Sequence, residues 1–179
     1  LQGEDIRVLA VQVDGPNAWL WAAVAAAGNQ RGKGCFRWYL TEFTPEGWRA
    51  FDGGWTAGSC HALAFHGTRV VAASHRAGVM RLDTSAAEPT WEPSAVATSG
   101  LPPRDRGRLV PVYTVAVDPD DRWIFAGGPE GVFRSRDGGD RYEGLSHKKL
   151  DKVTLPETWL FCSGEHEIDV VTEDEAERY

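Results

Sequence analysis

Gly34-Cys35-Phe36-Arg37, Gly78-Val79-Met80-Arg81 and Gly131-Val132-Phe133-Arg134 are three copies of one phrase: a glycine, two apolar or near-apolar residues and an arginine. The copies stand 44 and 53 residues apart. Each follows an apolar run that ends in small residues: Trp19-Leu20-Trp21-Ala22-Ala23, Val70-Val71-Ala72-Ala73-Ser74 and Trp123-Ile124-Phe125-Ala126-Gly127. Each of those runs follows an earlier short one, at Val8–Val13, Cys60–Phe65 and Tyr113–Val117. An aromatic residue closes each unit, at Trp48, Trp91 and Tyr142. Short β-branched and aromatic runs punctuated by Gly and Pro read as strands. The alanine-rich stretch from Trp19 to Ala27 is the one segment with helical character, and it too reads as a strand by analogy with its counterparts.

Four short strands in each period of roughly 45 residues are the signature of a β-propeller blade. The expected fold is therefore all-β: a single propeller domain with about four blades of four-stranded antiparallel sheet. The blades are placed at residues 5–58, 59–109, 110–150 and 151–179. The last is incomplete: Thr158–Gly164 matches a second strand and Glu167–Thr172 a third, and the sequence then ends. A partial ring, belonging to a larger one or completed by another chain, is the expectation. Residues 93–109 read as a long connector rich in Ser, Gly, Pro and Arg, and Asp118-Pro119-Asp120-Asp121 reads as a turn.

Composition narrows the functional classes. The 179 residues are 42% hydrophobic and 25% charged, enough for one domain with a sizeable core. The net charge of −7 is local, because seven acids between Glu165 and Glu177 face only Arg178, leaving residues 1–164 nearly neutral. Without a basic surplus, nucleic acid is not an expected partner. No apolar run reaches the roughly 20 residues of a spanning helix, so no membrane role is expected. The sequence opens at Leu1 with no targeting pattern, and cellular location is left open. Cys35, Cys60 and Cys162 lack CxxC spacing and read as free thiols rather than a disulfide framework or a zinc site.

Within the third unit stands Ser135-Arg136-Asp137-Gly138-Gly139-Asp140-Arg141-Tyr142, which fits Ser/Thr-x-Asp-x-Gly-x-x-aromatic. On this motif and the strand that leads into it, the chain resembles the Asp-box, or BNR-repeat, β-propellers of the sialidase-like superfamily. That superfamily includes sialidases, xyloglucanase-like glycoside hydrolases, sortilin-type receptors and assembly factors. The fourth unit keeps Thr172, Asp174 and Tyr179 but has Ala176 in place of Gly. The first keeps Thr41 and Trp48, with Phe43 and Pro45 in place of Asp and Gly, and the second has no box. The motif's chemistry is that of a tight turn. Asp137 can accept backbone N–H bonds, Gly139 permits positive φ, Ser135 can bond locally and Tyr142 can pack beneath. The resemblance implies that this turn sits at the blade periphery, away from the ring centre.

Candidate ligand contacts are Arg37, Arg81 and Arg134, whose guanidinium forks suit carboxylates, together with Trp55 and Arg104. As equivalent positions of successive blades, the three repeat arginines should lie far apart, and no Phe/Tyr-Arg-Ile-Pro segment accompanies them. Glycoside hydrolysis would need a carboxylate pair, but Asp14, Asp52, Asp83 and Asp118 all read as turn residues. Trp55, in Gly53-Gly54-Trp55-Thr56, is the tryptophan expected to be exposed; Trp19, Trp21, Trp123 and Trp159 are expected to pack between blades. His61, His66 and His75 flank strands of the second unit and could converge, but read as ordinary polar edge residues, and Glu165-His166-Glu167 reads as an acidic edge rather than a metal site. No catalytic residue, metal or cofactor is expected. The reading is a non-catalytic scaffold or recognition module for another protein, with residues 52–59 and 93–109 as its contact face. The alternative is a carbohydrate-active protein, either a glycoside hydrolase or a glycan-binding module.

Overall fold

Gly34, Gly78 and Gly131, the glycines of the repeated phrase, adopt φ of +71°, +66° and +110°. A side chain is strained there, and at two of the three it would also collide. A Cβ on Gly34 would lie 2.7 Å from the Phe51 carbonyl oxygen, and one on Gly78 would lie 2.8 Å from Leu101 Cδ1. The glycines thus turn the chain into the third strand of each unit, which explains their recurrence.

The computed structural model describes residues 1–27, 30–40 and 47–145. The first unit contains β1 (Ile6–Asp14), β2 (Asn17–Val24), β3 (Cys35–Tyr39) and β4 (Arg49–Phe51). The second contains β5 (Cys60–His66), β6 (Arg69–Ser74), β7 (Val79–Asp83) and β8 (Glu92–Pro93). A two-stranded hairpin follows, β9 (Pro103–Arg104) and β10 (Arg108–Leu109). The third unit is β11 (Thr114–Val117), β12 (Ile124–Gly128), β13 (Gly131–Ser135) and β14 (Glu143–Leu145). Each four-stranded sheet is a simple antiparallel meander in chain order. The alanine-rich stretch is β2, as its analogy with the other units requires. The described residues contain no α-helix, only a short 3-10 turn at Asp105–Gly107, and none of their helices is long and apolar enough to cross a membrane.

Two cores join the three sheets. Trp21, Ala23, Cys35 and Phe51 of the first pack with Val70, Ala72, Met80 and Leu82 of the second. Val71, Ala73 and Val79 of the second pack with Val115, Ile124, Ala126 and Phe133 of the third. Side chains alternate across a strand, so β6 offers Val70 and Ala72 to one core and Val71 and Ala73 to the other. That double burial is why its sequence is apolar without interruption. β1 has a single covered face and leaves Leu9, Val11 and Val13 at 65%, 54% and 64% exposure. The leading strands are neighbours, with β5 packed against both β1 and β11.

The stretch 93–109 is more structured than a connector. Leu101 and Leu109 are buried in the second core, and the Leu109 N–H donates to the Arg76 carbonyl at 3.0 Å. The acidic segment 165–179, Trp159, Cys162 and the fourth unit lie outside the described residues, as do Thr41, Phe43 and Pro45.

Candidate functional site

The Ser135–Tyr142 turn is organised by one hydroxyl and one carboxylate. Ser135, at the end of β13, is buried; its Oγ donates to Asp137 Oδ1 at 2.8 Å and accepts the Gly139 N–H at 2.8 Å. Asp137 Oδ1 also accepts the Arg141 N–H at 2.9 Å. That backbone donor, aided by the Ser135 hydroxyl, holds the Asp137 carboxyl below its usual range. Gly139 has φ of +97°, and a Cβ there would fall 2.8 Å from Arg81 Cδ and 3.0 Å from Tyr142 Oη. Tyr142 is buried beneath the turn, and its N–H donates to the Ser99 carbonyl at 2.6 Å. Burial pushes its phenol well up.

Arg81 of β7 reaches across to this turn. Its Nη1 donates to the Gly138 carbonyl at 3.2 Å and pairs with Asp140 Oδ1 at 2.6 Å, while Nη2 lies 3.7 Å from Glu92. The turn therefore ties the second and third sheets together. An open groove of about 380 Å³ runs alongside, bordered by Arg69, Arg81, Asp83, Glu88 and Glu92. Asp83 accepts from the hydroxyl and N–H of Ser85, which holds its carboxyl low and charged, unlike a general acid.

The other repeat arginines are engaged within their own sheets. Arg37 of β3 sits over the rings of Trp19 and Phe51, 4.8 Å from each centroid. Arg134 of β13 donates from Nε to Glu143 at 2.7 Å and covers Trp123 at 4.7 Å. The structure does not bring the three together. Trp55 corrects a second expectation. Only 5% exposed, it packs edge-on against Trp91 with centroids 5.1 Å apart and donates from Nε1 to the Gly58 carbonyl at 2.9 Å. Two glycines before a tryptophan suggest an exposed tip, but the turn folds inward, and the ring fills the first core. Trp21 is buried as expected, while Trp19 and Trp123 are half-buried.

The carboxylates weighed for hydrolysis occupy turns. Asp14 pairs with Asn17 where β1 meets β2. The Asp52 carbonyl accepts the Trp55 N–H at 3.0 Å, and the Asp118 carbonyl accepts the Asp121 N–H at 2.8 Å. Among the described residues, no group of three or more His, Cys, Asp or Glu converges as a metal site would require.

A different cluster forms where β1, β5 and β11 begin and β6 ends. His61 of β5 meets His75, just past β6, edge to face with centroids 5.8 Å apart. It meets Tyr113, just ahead of β11, in the same manner at 5.3 Å. Desolvation lowers the His75 imidazole pKa, and the positive charges of Arg104, Arg76, Arg108 and Arg7 lower it further. His61 is lowered by desolvation, then by His75 and Arg7. Arg104 and Arg108 stand directly opposite each other across the β9–β10 ladder. The hairpin lies next to the histidine pair in the fold, since the Leu109 N–H bonds the carbonyl of Arg76, the residue after His75, and Tyr113 beside the pair is 51% exposed. An adjoining groove of about 590 Å³ is bordered by Glu4, Asp5, Arg7, Gln30, Arg31 and Lys33. His66 lies apart from the other two histidines, 3.6 Å from Asp121.

Comparison with known proteins gives little. No family profile matches the chain, and no curated protein matches it. A solved structure with a similar course is the extracellular domain of a protein assigned as a hybrid two component system from B. thetaiotaomicron. It aligns at 15% identity and a TM-score of 0.43 over 90% of this chain, which spans 24% of that one.

Of the sequence-derived candidates, only Arg104 belongs to the arginine–histidine cluster. Arg7, His61, His75, Arg76, Arg108 and Tyr113 were not singled out together. The available signals were the histidines flanking the strands of the second unit, of which His61 and His75 do meet, and the alternation Arg104-x-Arg106-x-Arg108, which on a hairpin brings basic residues into cross-strand register.

Proposed function

We propose that the protein is a non-catalytic β-propeller module of the Asp-box kind that recognises another protein through its arginine–histidine end. Three features support the propeller arrangement: the meander order of each sheet, the adjacency of the leading strands, and a turn at Ser135–Tyr142 whose bonds suit the Asp-box pattern. The recognition reading rests on one observation: Arg104 and Arg108 stand opposite each other on a hairpin that the Leu109 N–H ties to the Arg76 carbonyl, next in the chain to the His75 of the His61–His75–Tyr113 ring cluster. Arginine and aromatic side chains at the ends of rigid strands suit contact with a protein partner. The carbohydrate-active alternative draws no comparable support, since Trp55 is buried and the candidate carboxylates serve turns.

The test is affinity capture with the full chain as bait. A protein retained by the wild type should be lost with Arg104→Ser/Arg108→Ser and kept with Arg122→Ser, in which an arginine of the β11–β12 turn is replaced. Equal retention by the first variant and the wild type would exclude this end as the contact surface.

A further inference from the structure

Independently of the recognition reading, we infer that the outer face of the first sheet is an interface for a second copy of this chain, whose third sheet packs onto it through the face that carries Phe125 and Val132. The first ground is the order of packing within the chain. Each sheet has a forward face, which meets the next sheet, and a back face, which meets the preceding one. Trp21, Ala23 and Cys35 on the forward face of the first sheet meet Val70, Ala72 and Met80 on the back of the second. Val71, Ala73 and Val79 on the forward face of the second meet Ile124, Ala126 and Phe133 on the back of the third. One contact is thus made twice. Among the described residues it leaves over a back face on the first sheet and a forward face on the third.

The second ground is what fills that back face. On the second sheet, strand register sets Leu63, Phe65, Val70, Ala72, Met80 and Leu82 side by side on the covered back face. The equivalent positions of the first sheet hold Leu9, Val11, Leu20, Ala22, Phe36 and Trp38. All are apolar, as in the covered sheet, yet none belongs to either core. Leu9 and Val11 are 65% and 54% exposed, and Leu20, Phe36 and Trp38 are half-buried. An antiparallel sheet with one face in water alternates apolar and polar residues. β2 instead is apolar without interruption from Ala18 to Val24, like β6, the pattern of a strand covered on both sides. With no charge at these positions, the face suits another apolar sheet face.

The third ground is that the same chain carries the matching half. On the forward face of the third sheet, Thr114 and Ala116 stand beside Gly127 and Phe125, with Val132 next to Gly127. The equivalent positions of the first sheet, where this face is covered, are Val8, Ala10, Ala23, Trp21 and Cys35. Both sets place small residues around one large ring. Ala116 is exposed and Val132 is 48% exposed. Arg134, at the rim, is paired with Glu143 at 2.7 Å, so covering the face strands no lone charge. Arg81 holds the same rim position on the second sheet, and there it bonds the turn of the sheet that covers it. Copies can therefore join head to tail by the contact each already makes internally.

Sedimentation velocity of the full chain over a range of concentrations tests this. The wild type should associate reversibly. Leu9→Lys/Val11→Lys should raise the dissociation constant about a hundredfold or more, with an unchanged circular dichroism spectrum. Should the lysine pair alter that spectrum, Leu9→Ser/Val11→Ser serves as the back-face variant. Val132→Lys, on the forward face, should also weaken association. Each variant keeps one intact face, so the two mixed should form a dimer that neither forms alone. A wild type that is monomeric at every concentration would overturn the inference, whatever part of its own chain then meets the face. So would undiminished association of Val132→Lys, which would mean back-to-back contact, or two variants that fail to combine.

Discussion

Replacing Gln12 by leucine should cost about 0.5–4.5 kcal/mol of stability, although leucine suits a core better by size and polarity. Gln12 is fully buried on β1. Its Oε1 accepts the indole N–H of Trp21 at 2.8 Å, and its Nε2 donates to the Gly67 carbonyl in the β5–β6 turn at 2.6 Å. The amide therefore links the first sheet to the second. Leucine would leave an indole donor and a carbonyl acceptor unpaired, at about 1–3 kcal/mol each. Burial of the leucine side chain returns roughly 1.5 kcal/mol or a little more. The expected fall in melting temperature is about 2–4 °C per kcal/mol for a chain of this size. Urea denaturation followed by tryptophan fluorescence would measure the loss, and the same substitution in a Trp21→Phe background would isolate the indole bond. The cost should shrink there by about 1 kcal/mol or more, since that donor is already gone. A loss below about 0.5 kcal/mol, or the same loss in both backgrounds, would refute the reasoning.

Ser135→Ala should destabilise by about 1–3 kcal/mol, because the Gly139 N–H loses its acceptor in a buried turn. Tyr142→Phe should be neutral or stabilising, since the buried Tyr142 hydroxyl has no hydrogen-bond partner among the described residues; chemical denaturation of the pair would show the contrast, and equal losses would contradict it. The Asp137 carboxyl is held below its ordinary 3.8 in the folded chain, so it releases its proton more readily folded than unfolded. Its contribution is complete above about pH 4 and disappears as pH falls through the folded-state value. Asp137→Asn should therefore show a flatter acid limb, and superimposable acid titrations would exclude this. Cys35 and Cys60 are buried, and burial followed by its neighbour Cys60 pushes the Cys35 thiol up. Both should react with a thiol reagent near pH 8 only as fast as the protein opens; rapid labelling of either under native conditions would contradict the packing.

The strands were legible because their determinants are local. The turn glycines, the alternation in β1 and β11, and the Ser135–Tyr142 spacing each lie within a few residues. Burial was harder to read. Gly53-Gly54-Trp55 has the look of a solvent-facing tip, and only the arrival of Trp91, 36 positions later, shows that the ring is covered. The arginine–histidine end was illegible for a related reason. Arg7, His61, Arg104 and Tyr113 belong to separate segments whose meeting depends on which strand ends lie side by side. Arg37, Arg81 and Arg134 drew attention through repetition, but repetition marks equivalent places in separate sheets.

The double burial of β6 has a mechanical consequence. Val70 and Ala72 grip one core and Val71 and Ala73 the other, so neither interface can part without loosening a strand that the other relies on. The sheets behave as a laminate in which the middle ply carries load for both neighbours. A fault introduced at Met80, on the side of the first sheet, should thus be felt at the Asp137 turn of the third, through β6 and through Arg81, the next residue of β7, which bonds that turn.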